Sequence, residues 1–390
     1  MHYLHLYPLF LLCLLPLALD VATGAAVPSS FPVKSPDPSV GARLISLDND
    51  APAVWMSSDE VQALARQRRS FFDVTDFQEA NPVSPQPTRP VIPKLATKQT
   101  LVNPLLAKLS IDRMKADLEA FTSFPNRYYQ SAEGVKSATW LLDQISQIFN
   151  TTQGVNATLK VFQHAFPQFS LVVRLEGSNP QHADEIVVLG AHQDTINLQD
   201  TLGRAPGADD DGTGSVTLLE ILRVLTSSKF TPERSLEFHW YAAEEVGLLG
   251  SQQIAYSYRN ASKKIAGQLQ IDMTGYVAPG QPEAFGVVTD YVDAELSAFL
   301  RKVVGAYSSV PYKDTLCGYG CSDFASWTKS GYPSAFLFES VPDVSNPFIH
   351  SAEDTIALID WKHAGEYAKV ALGFAVELSF GPNMASHHGK

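Results

Sequence analysis

One stretch of the 390-residue chain, residues 185–215, constrains its fold more than any other. Residues 186–189 are a continuous, mostly β-branched apolar run, which predicts a buried strand of a parallel or mixed sheet. His192 and Asp194 follow this run, and three adjacent aspartates at 209–211 precede a helical pattern. Open α/β sheets bind their ligands beyond the carboxyl ends of the strands. Because three adjacent carboxylates repel one another unless a cation neutralises them, the stretch indicates a metal site.

The chain beyond residue 105 alternates between strand-like and helical patterns. Strands are predicted at 171–175, 186–189, 236–241, 269–271 and 334–338, and helices at 131–149, 216–225, 292–304 and 362–378. This alternation predicts one α/β domain, with a mostly parallel mixed central sheet flanked by helices.

Further potential ligands follow several of these strands. Glu244 and Glu245 come just after the strand at 236–241, Asp272 ends another strand, and His350 lies in a loop near the C-terminus. Taken singly, each has a simpler interpretation, because glutamate pairs are usually solvated and a lone histidine is usually a satisfied polar residue. Their recurrence at strand ends within one domain favours a functional site.

The N-terminus has the pattern of a secretory signal peptide, predicted at residues 1–20. An apolar run at 6–19 is followed by small residues, although no Lys or Arg precedes it. An uncleaved anchor is the alternative, but the run is short for a membrane span. Sequons at Asn150, Asn156 and Asn260 are predicted glycosylation sites of a secreted protein.

Residues 21–88 differ in composition and are predicted to be a propeptide. A Pro/Ser-rich stretch at 28–38 predicts disorder, and a short amphipathic helical pattern begins at residue 58 and ends in the basic run 66–69. The proline-rich residues 81–104 predict an extended linker. We expect cleavage in this linker, which leaves residues 89–390 as the main domain. The basic run is the alternative cleavage site, although such a run is more often only a solvated helix end. We also hypothesise that residues 21–88, the head segment, fold onto the face of this domain that carries the functional site and act as an intramolecular inhibitor.

Two cysteines, Cys317 and Cys321, lie in a glycine-rich turn of the predicted exported protein. They predict a small-loop disulfide. A metal site on this pair is the alternative, but no second Cys or His cluster lies nearby in the sequence. The net charge of −12 argues against a nucleic-acid partner.

Six motifs together resemble those of a known enzyme family. These motifs are HQD, PGADDDGTGS, EEVGLLGS, IDMTGY, CGYGCSD and IHSAEDT. In order and spacing, they are similar to the motifs of secreted two-zinc leucine aminopeptidases. The fungal extracellular type is most similar, and bacterial secreted aminopeptidases are more distant. The resemblance covers the chain from about residue 105 onward, and the N-terminal segment resembles the fungal propeptide.

This resemblance implies an extracellular metallo-aminopeptidase. Such an enzyme removes N-terminal residues, preferentially leucine or other large apolar residues, from peptides with a free N-terminus. We expect a monomer, with no membrane partner after signal removal.

The resemblance also assigns metal ligands. It implies that Asp210 bridges two zinc ions, that Glu245 and His350 complete one ion, and that His192 and Asp272 complete the other. Each ion then has three protein ligands and an open position, as a catalytic zinc needs.

Other residues receive catalytic roles from the same resemblance. Glu244 would be the general base that takes a proton from the attacking water and passes it to the leaving amine. Asp194 would orient His192. Tyr319 would donate a hydrogen bond to the developing oxyanion, although an ordinary turn tyrosine is its simpler interpretation. The family also has a cis peptide bond where this chain has residues 210–211.

The apolar substrate pocket of the family matches six positions of this chain. These are Met273, Cys317, Cys321, Phe336, Phe338 and Ile349. Such a lining favours leucine-like side chains, although Phe336 and Phe338 could equally be core residues. Pro342 and Ser345 replace bulky aromatic residues of the bacterial relatives, which leaves the detailed preference open.

Three rival functions share this fold. A carboxypeptidase needs a cation to hold the C-terminal carboxylate of its substrate, and no motif here supplies an obvious arginine. A glutaminyl cyclase works with one zinc, whereas this chain has a five-ligand set. A non-catalytic, receptor-like relative would have lost ligands or the base, and none is missing here.

Overall fold

The computed structural model describes residues 42–47, 52–67, 69, 71–77, 88–152 and 154–381. The predicted signal peptide and the predicted disorder at 28–38 lie outside these residues and stay predictions. Within the described part of the chain, no helix is both long and apolar enough to cross a membrane.

The structure combines a small N-terminal sheet with a large central sheet and its helices. The strands of the described residues are β1 (Arg43–Ser46), β2 (Val54–Met56), β3 (Phe72–Asp73), β4 (Ala157–Phe162), β5 (Ser170–Leu175), β6 (Glu185–His192), β7 (Ser235–Tyr241), β8 (Lys264–Ile271), β9 (Phe285–Val288), β10 (Tyr312–Thr315) and β11 (Ser334–Phe338). The α-helices of the same residues are α1 (Ser58–Arg66), α2 (Gln99–Leu106), α3 (Ile111–Phe121), α4 (Ala132–Thr151), α5 (Gly214–Ser227), α6 (Leu249–Asn260), α7 (Ala294–Tyr307), α8 (Phe324–Lys329) and α9 (Trp361–Leu378). This arrangement confirms the predicted α/β fold with a mixed sheet.

The central sheet has eight strands in the order β10-β9-β11-β8-β6-β7-β5-β4. Its middle is parallel, because β6 pairs in parallel with both β7 and β8, and β8 pairs in parallel with β11. The outer strand β4 is antiparallel to β5, which is antiparallel to β7. The carboxyl ends of β6, β7 and β8 therefore lie side by side at one edge.

Strand β6 shows how the sequence places helices on both faces of this sheet. Val187 and Leu189 belong to the apolar cluster that includes α5 and α9, whereas Ile186 and Val188 pack with residues of α6 and α8. Successive side chains of a strand point to opposite faces, so a continuous apolar run needs cover on both sides. The buried strand predicted at 186–189 therefore forms because helices cover both of its faces.

The helix ends follow ordinary capping chemistry. Ser131, the N-cap of α4, accepts a hydrogen bond from the Gly134 N–H at 2.8 Å. Asp293 caps α7 in the same way, by accepting from the Leu296 N–H at 2.8 Å. These caps fix where the chain enters two of the helices that cover the sheet.

The prediction of an extended linker through residue 104 is wrong for its last part. Helix α2 includes Pro104, and Ile92 is buried at 2% exposure in the main apolar cluster. The backbone amides of Thr97 and Lys98 donate to the Glu377 carboxylate at 2.9 and 2.7 Å. The apolar side chains between the prolines thus join this segment to the domain. Residues 81–87, the first part of the predicted linker, lie outside the described residues.

The three exposed sequons are placed where glycans could be attached. Asn150 lies at the end of α4, Asn156 precedes β4, and Asn260 ends α6, and all three residues are exposed. Their glycosylation stays a prediction.

Gly250 allows α6 to lie close to the chain that leaves β7. Its N–H donates to the Ala242 carbonyl at 3.1 Å, and a Cβ at this position would lie 2.2 Å from that oxygen.

We therefore expect Gly250→Ala to lower the free energy of unfolding by about 1–3 kcal/mol. Gly305 in α7 is the matched control, because a Cβ there would meet nothing within 4 Å. Gly305→Ala should raise the free energy of unfolding by about 0.5–1 kcal/mol in the same urea titration. Equal stability of Gly250→Ala and wild type would contradict this account of the contact.

Candidate metal centre

All five predicted metal ligands lie together at the carboxyl edge of the central sheet. His192 ends β6, Asp272 follows β8, and Glu245 lies in the turn after β7. Asp210 and His350 reach the same place from two loops. The parallel register of the three strands is what brings distant parts of the sequence to one point.

Asp210 lies between two groups of potential ligands. Its Oδ1 is 2.9 Å from His192 Nε2, and its Oδ2 is 3.1 Å from His350 Nε2. His350 Nε2 is also 2.9 Å from Glu245 Oε2, and His192 Nε2 is 3.5 Å from Asp272 Oδ1. One carboxylate thus presents one oxygen to each group, which is the arrangement that a bridging ligand requires.

Asp211 also lies close enough to His192 and Asp272 to be a ligand. Its carboxylate, however, accepts hydrogen bonds from the backbone amides of Gly214 at 2.8 Å, His192 at 3.1 Å and Met273 at 3.3 Å. We therefore favour Asp210 over Asp211 as the shared ligand. The cis peptide bond that the resemblance implies is present between these two aspartates.

Two further aspartates hold the backbone that carries the ligands. Asp194 Oδ1 and Oδ2 accept from the N–H groups of Glu244 and Glu245 at 3.0 and 3.2 Å. Asp354 Oδ2 accepts from the Asp210 N–H at 3.0 Å. Asp354 was not predicted from the sequence, although it lies within the IHSAEDT motif.

The contact between Asp194 and His192 differs in detail from the predicted one. His192 Nδ1 lies 3.2 Å from the backbone oxygen of Asp194 and 3.7 Å from its carboxylate. The backbone carbonyl is therefore the nearer partner of the imidazole. The carboxylate instead orders the turn that bears Glu244 and Glu245.

Two buried atoms of the predicted ligand residues have no hydrogen-bond partner among the described residues. They are Asp272 Oδ1, which faces His192, and His350 Nδ1, which is the ring nitrogen away from Asp210 and Glu245. The other oxygen of Asp272 accepts from the Ser322 hydroxyl at 2.6 Å. A buried carboxylate oxygen without a donor is unfavourable unless a cation binds it. Together with the His and carboxylate donor set, this unpaired oxygen fits a zinc site.

The electrostatics of the site are dominated by buried acids. Burial raises the pKa of Glu244 well above its usual range and that of Glu245 to about 7. Burial would lower the pKa of His192, but the nearby carboxylates, Asp272 first, raise it well above its usual value. The cluster therefore favours bound positive charge.

A cavity of about 280 Å³ opens beside these ligands. The predicted pocket residues all line it, namely Met273, Cys317, Cys321, Phe336, Phe338 and Ile349, as do Tyr319, Pro342 and Ser345. Phe336 is at the same time a core residue, because it is 2% exposed and its ring lies 5.3 Å from that of Phe324. Glu244 faces this cavity too.

The turn that carries Tyr319 is fixed at both ends. Cys317 and Cys321 are bonded to each other, which confirms the predicted disulfide. Asp290 accepts from the N–H groups of Cys317 and Gly318 at 2.9 and 2.6 Å. Sequence reasoning missed Asp290, because it lies 27 residues before the turn and in no motif.

The predicted propeptide reaches this cavity. Arg69 and Phe71 contribute to its lining. Phe72 packs in an apolar cluster with Leu248 and Phe336, and the Asp73 N–H donates to the Gly247 carbonyl at 3.3 Å. The head segment therefore lies on the active-site face.

Known proteins are similar to this chain in sequence and in fold. A family model described as Peptidase family M28 matches residues 170–375. Leucine aminopeptidase 1 of Blastomyces gilchristii is 42% identical over 381 residues, covering 94% of this chain and 97% of the relative. A probable leucine aminopeptidase of Arthroderma otae is 41% identical over 335 residues, covering 85% and 89% respectively.

Solved structures agree with these relatives. The LapA aminopeptidase of Legionella pneumophila is similar with a TM-score of 0.77 and 31% identity, covering 87% of this chain and 94% of that one. A glutaminyl cyclase of Bacteroides thetaiotaomicron has a TM-score of 0.56 at 16% identity, covering 69% of this chain and 98% of that one, which shows the fold alone. The likenesses confirm the predicted resemblance and the prediction of a zinc-dependent aminopeptidase, and the chain belongs to peptidase family M28.

Proposed function

We propose that this chain is an extracellular two-zinc aminopeptidase that removes leucine or other large apolar residues from free N-termini. The observation that carries the proposal is the position of Asp210, whose two oxygens face two separate His-carboxylate groups. The names of the fungal relatives, which are leucine aminopeptidases, support the choice of substrate.

His192, Asp272 and one oxygen of Asp210 would hold one ion. Glu245, His350 and the other oxygen of Asp210 would hold the second ion. Bound zinc would supply Lewis-acid polarisation of the scissile carbonyl and lower the pKa of the attacking water.

Glu244 would act as the general base. Its carboxylate lies at the cavity and is in neither ligand group, while its backbone N–H is held by Asp194. Glu244 takes a proton from the attacking water and returns it to the leaving amine. Tyr319, which lies on the cavity wall, would donate a hydrogen bond to the carbonyl oxygen as negative charge develops there.

The cavity lining supports the apolar preference. Met273, Phe336, Phe338 and Ile349 surround the space beside the ligands. Burying a leucine side chain against such a wall contributes about 1.5–3 kcal/mol to binding. Pro342 and Ser345 also line the cavity, and they make their part of the wall less bulky than aromatic residues would.

The cavity argues against the rival carboxypeptidase. Among the described residues that line it, Arg69 is the one Lys or Arg, and it belongs to the predicted propeptide. The catalytic domain therefore offers no permanent cation here for a C-terminal carboxylate. The two groups of ligands likewise favour two ions over the one-zinc chemistry of a glutaminyl cyclase.

We also propose how the chain is divided into segments. Residues 1–20 would be a signal peptide, residues 21–88 a propeptide, and residues 89–390 the catalytic domain. The glycosylation of Asn150, Asn156 and Asn260 would follow from export, and all three are exposed.

Substrate and metal are tested together on secreted, matured protein. The protein is dialysed against a chelator, titrated with zinc and assayed with leucine p-nitroanilide and with its N-acetylated form. We expect activity on the free-amine substrate alone, rising as zinc occupancy approaches two ions per chain. Cleavage of the acetylated substrate, or full loading without turnover, would refute the assigned reaction.

Glu244 and Glu245 are adjacent but should have separable roles. Glu244→Gln should lower kcat by about 100- to 10,000-fold and keep two zinc ions, because the base is lost and the ligands remain. Glu245→Gln should lower zinc occupancy, since it removes a ligand. The two variants are matched in chemistry and are compared by zinc analysis and kinetics. Zinc loss in Glu244→Gln would contradict its assignment as base.

Ser322 should affect zinc affinity through Asp272. Ser322→Ala removes the hydroxyl that donates to Asp272 Oδ2, so we expect zinc affinity to fall by about 10- to 100-fold. Ser326→Ala is the control, because the buried Ser326 hydroxyl pairs with that of Ser251 at 2.8 Å. A chelator competition assay should show no change for Ser326→Ala. Equal affinities for both variants would show that Ser322 does not support the ligand.

The head segment should inhibit the enzyme until it is cut. Arg69 and Phe71 line the cavity and Phe72 packs against its wall, so the uncleaved chain should turn over leucine p-nitroanilide more slowly than chain cleaved in the linker. Phe72→Ala should raise the activity of uncleaved chain by weakening this packing. Val54→Ala is the control, because the Val54 side chain is 54% exposed in the small N-terminal sheet. It should leave the activity of the uncleaved chain unchanged. Equal rates for uncleaved and cleaved chain would refute inhibition.

A further inference from the structure

Arg127 is a fully buried cation that the proposed reaction does not use. It lies between α3 and α4, and its exposure is 0%. Each nitrogen of its guanidinium donates to a backbone carbonyl: Nε to Gln193 at 2.8 Å, Nη2 to Gly207 at 2.9 Å, and Nη1 to Pro206. The guanidinium carbon lies 4.2 Å from the centre of the Phe121 ring.

These carbonyls lie at the two ends of one loop, residues 193–207, which joins the ligand His192 to the ligand Asp210. Gln193 directly follows His192 at the end of β6, and Pro206 and Gly207 lead into Asp210. The three donors of one side chain therefore tie the beginning of this loop to its end. The planar fork of an arginine is suited to this, because it directs several N–H groups from one rigid unit.

The backbone of Arg127 adds to the same connection. Its N–H donates to Thr195 Oγ1 at 2.9 Å, and that hydroxyl donates to the Ala205 carbonyl at 3.1 Å. Thr195 and Ala205 again lie near the two ends of this loop. The link between them thus has four separate hydrogen-bonded points on Arg127.

Gly207 shows how little room this arrangement leaves. Its φ is +50°, and a Cβ there would lie 2.1 Å from Thr195 Cγ2, 2.4 Å from the Asp210 carbonyl oxygen and 3.0 Å from Arg127 Nη2. Glycine alone avoids these contacts and accepts this backbone conformation readily. The two ends of the loop and the guanidinium therefore fit together in one close arrangement.

The charge of Arg127 faces an acidic region. Burial lowers its pKa to about 10, while Asp354, Asp211, Asp194 and Asp210 act in the opposite direction. At neutral pH the side chain is thus a permanent cation. Among the described residues, no carboxylate forms a direct ion pair with it within 4.0 Å, so its charge acts on the acidic cluster as a whole.

We propose that Arg127 is a positioning residue of the metal centre, which holds together the two ends of the loop between His192 and Asp210 and offsets the negative charge of the acidic cluster. This inference rests on the proposed two-ion site. It assigns Arg127 no contact with substrate.

Arg234 offers a matched comparison. It is also 0% exposed and donates to the carbonyls of Leu378 and Val91 at 3.0 and 2.9 Å. Its Nε pairs with Glu185 at the opposite, amino-terminal end of β6. If Arg127 only stabilised the fold, its substitution should have the same effects on zinc affinity and Tm as the substitution of Arg234.

The test compares Arg127→Lys with Arg234→Lys. Zinc affinity is measured by competition with a chromophoric chelator, and the Tm is measured with and without zinc. We expect Arg127→Lys, which keeps the charge but loses the fork, to lower zinc affinity by about 10- to 100-fold and to reduce the zinc-induced rise in Tm. Arg234→Lys should lower both Tm values equally and leave zinc affinity unchanged.

A second variant protects the test against a folding defect. Thr195→Ala removes the hydroxyl between the Arg127 N–H and the Ala205 carbonyl, and it should weaken zinc binding in the same direction as Arg127→Lys. If both variants bind zinc with wild-type affinity and lose the same Tm with and without zinc, the inference about Arg127 is wrong and the proposed function is unaffected. Wild-type protein that binds no zinc would overturn the proposed function instead.

Discussion

The metal centre depends on the way in which buried carboxylates are paired with backbone amides. Asp211 accepts from three N–H groups, Asp354 from those of Asp209 and Asp210, and Asp194 from those of Glu244 and Glu245. An ionised carboxylate accepts several hydrogen bonds, and a buried one is unfavourable without them. These acids therefore fix the backbone, and the carboxylates of Asp210, Glu245 and Asp272 are the ones that would bind the proposed ions.

This division of roles explains why adjacent acids differ in function. Asp210 and Asp211 are neighbours, yet one faces the two histidines and the other is surrounded by backbone donors. Glu244 and Glu245 separate in the same way, because Glu245 contacts His350 while Glu244 lies only along the cavity. The surroundings of each side chain, more than its type, decide whether it can bind metal, hold backbone or move a proton.

Local patterns of the sequence predicted part of the fold. The strand at 186–189 could be predicted, because a continuous apolar run is a local pattern. The five ligand positions are far apart in the chain, and their assignment came from the resemblance of their motifs to those of a known family. Asp354, Asp290 and Arg127 were not predicted, since each acts through backbone groups that only the folded chain brings near.

Pro104 misled the linker prediction for a related reason: tertiary packing of Val102 and Leu105 stabilises a helix that the local prolines disfavour. The short strands β9 and β10 were not predicted, because four residues are too few to show a clear strand pattern.

The apolar wall of the cavity is also part of the surface on which the head segment packs. Phe336, Cys317 and Cys321 belong both to the cavity lining and to the cluster in which Phe72 packs. Gly320 brings the disulfide turn so near that a Cβ there would lie 2.7 Å from the Phe72 ring. A surface that binds leucine-like side chains is necessarily one on which other apolar side chains pack well, because the hydrophobic effect is not directional. If the proposed cleavage and substrate preference hold, the same wall would bind the head segment before cleavage and a substrate side chain after it, so that docking of the one would oppose binding of the other.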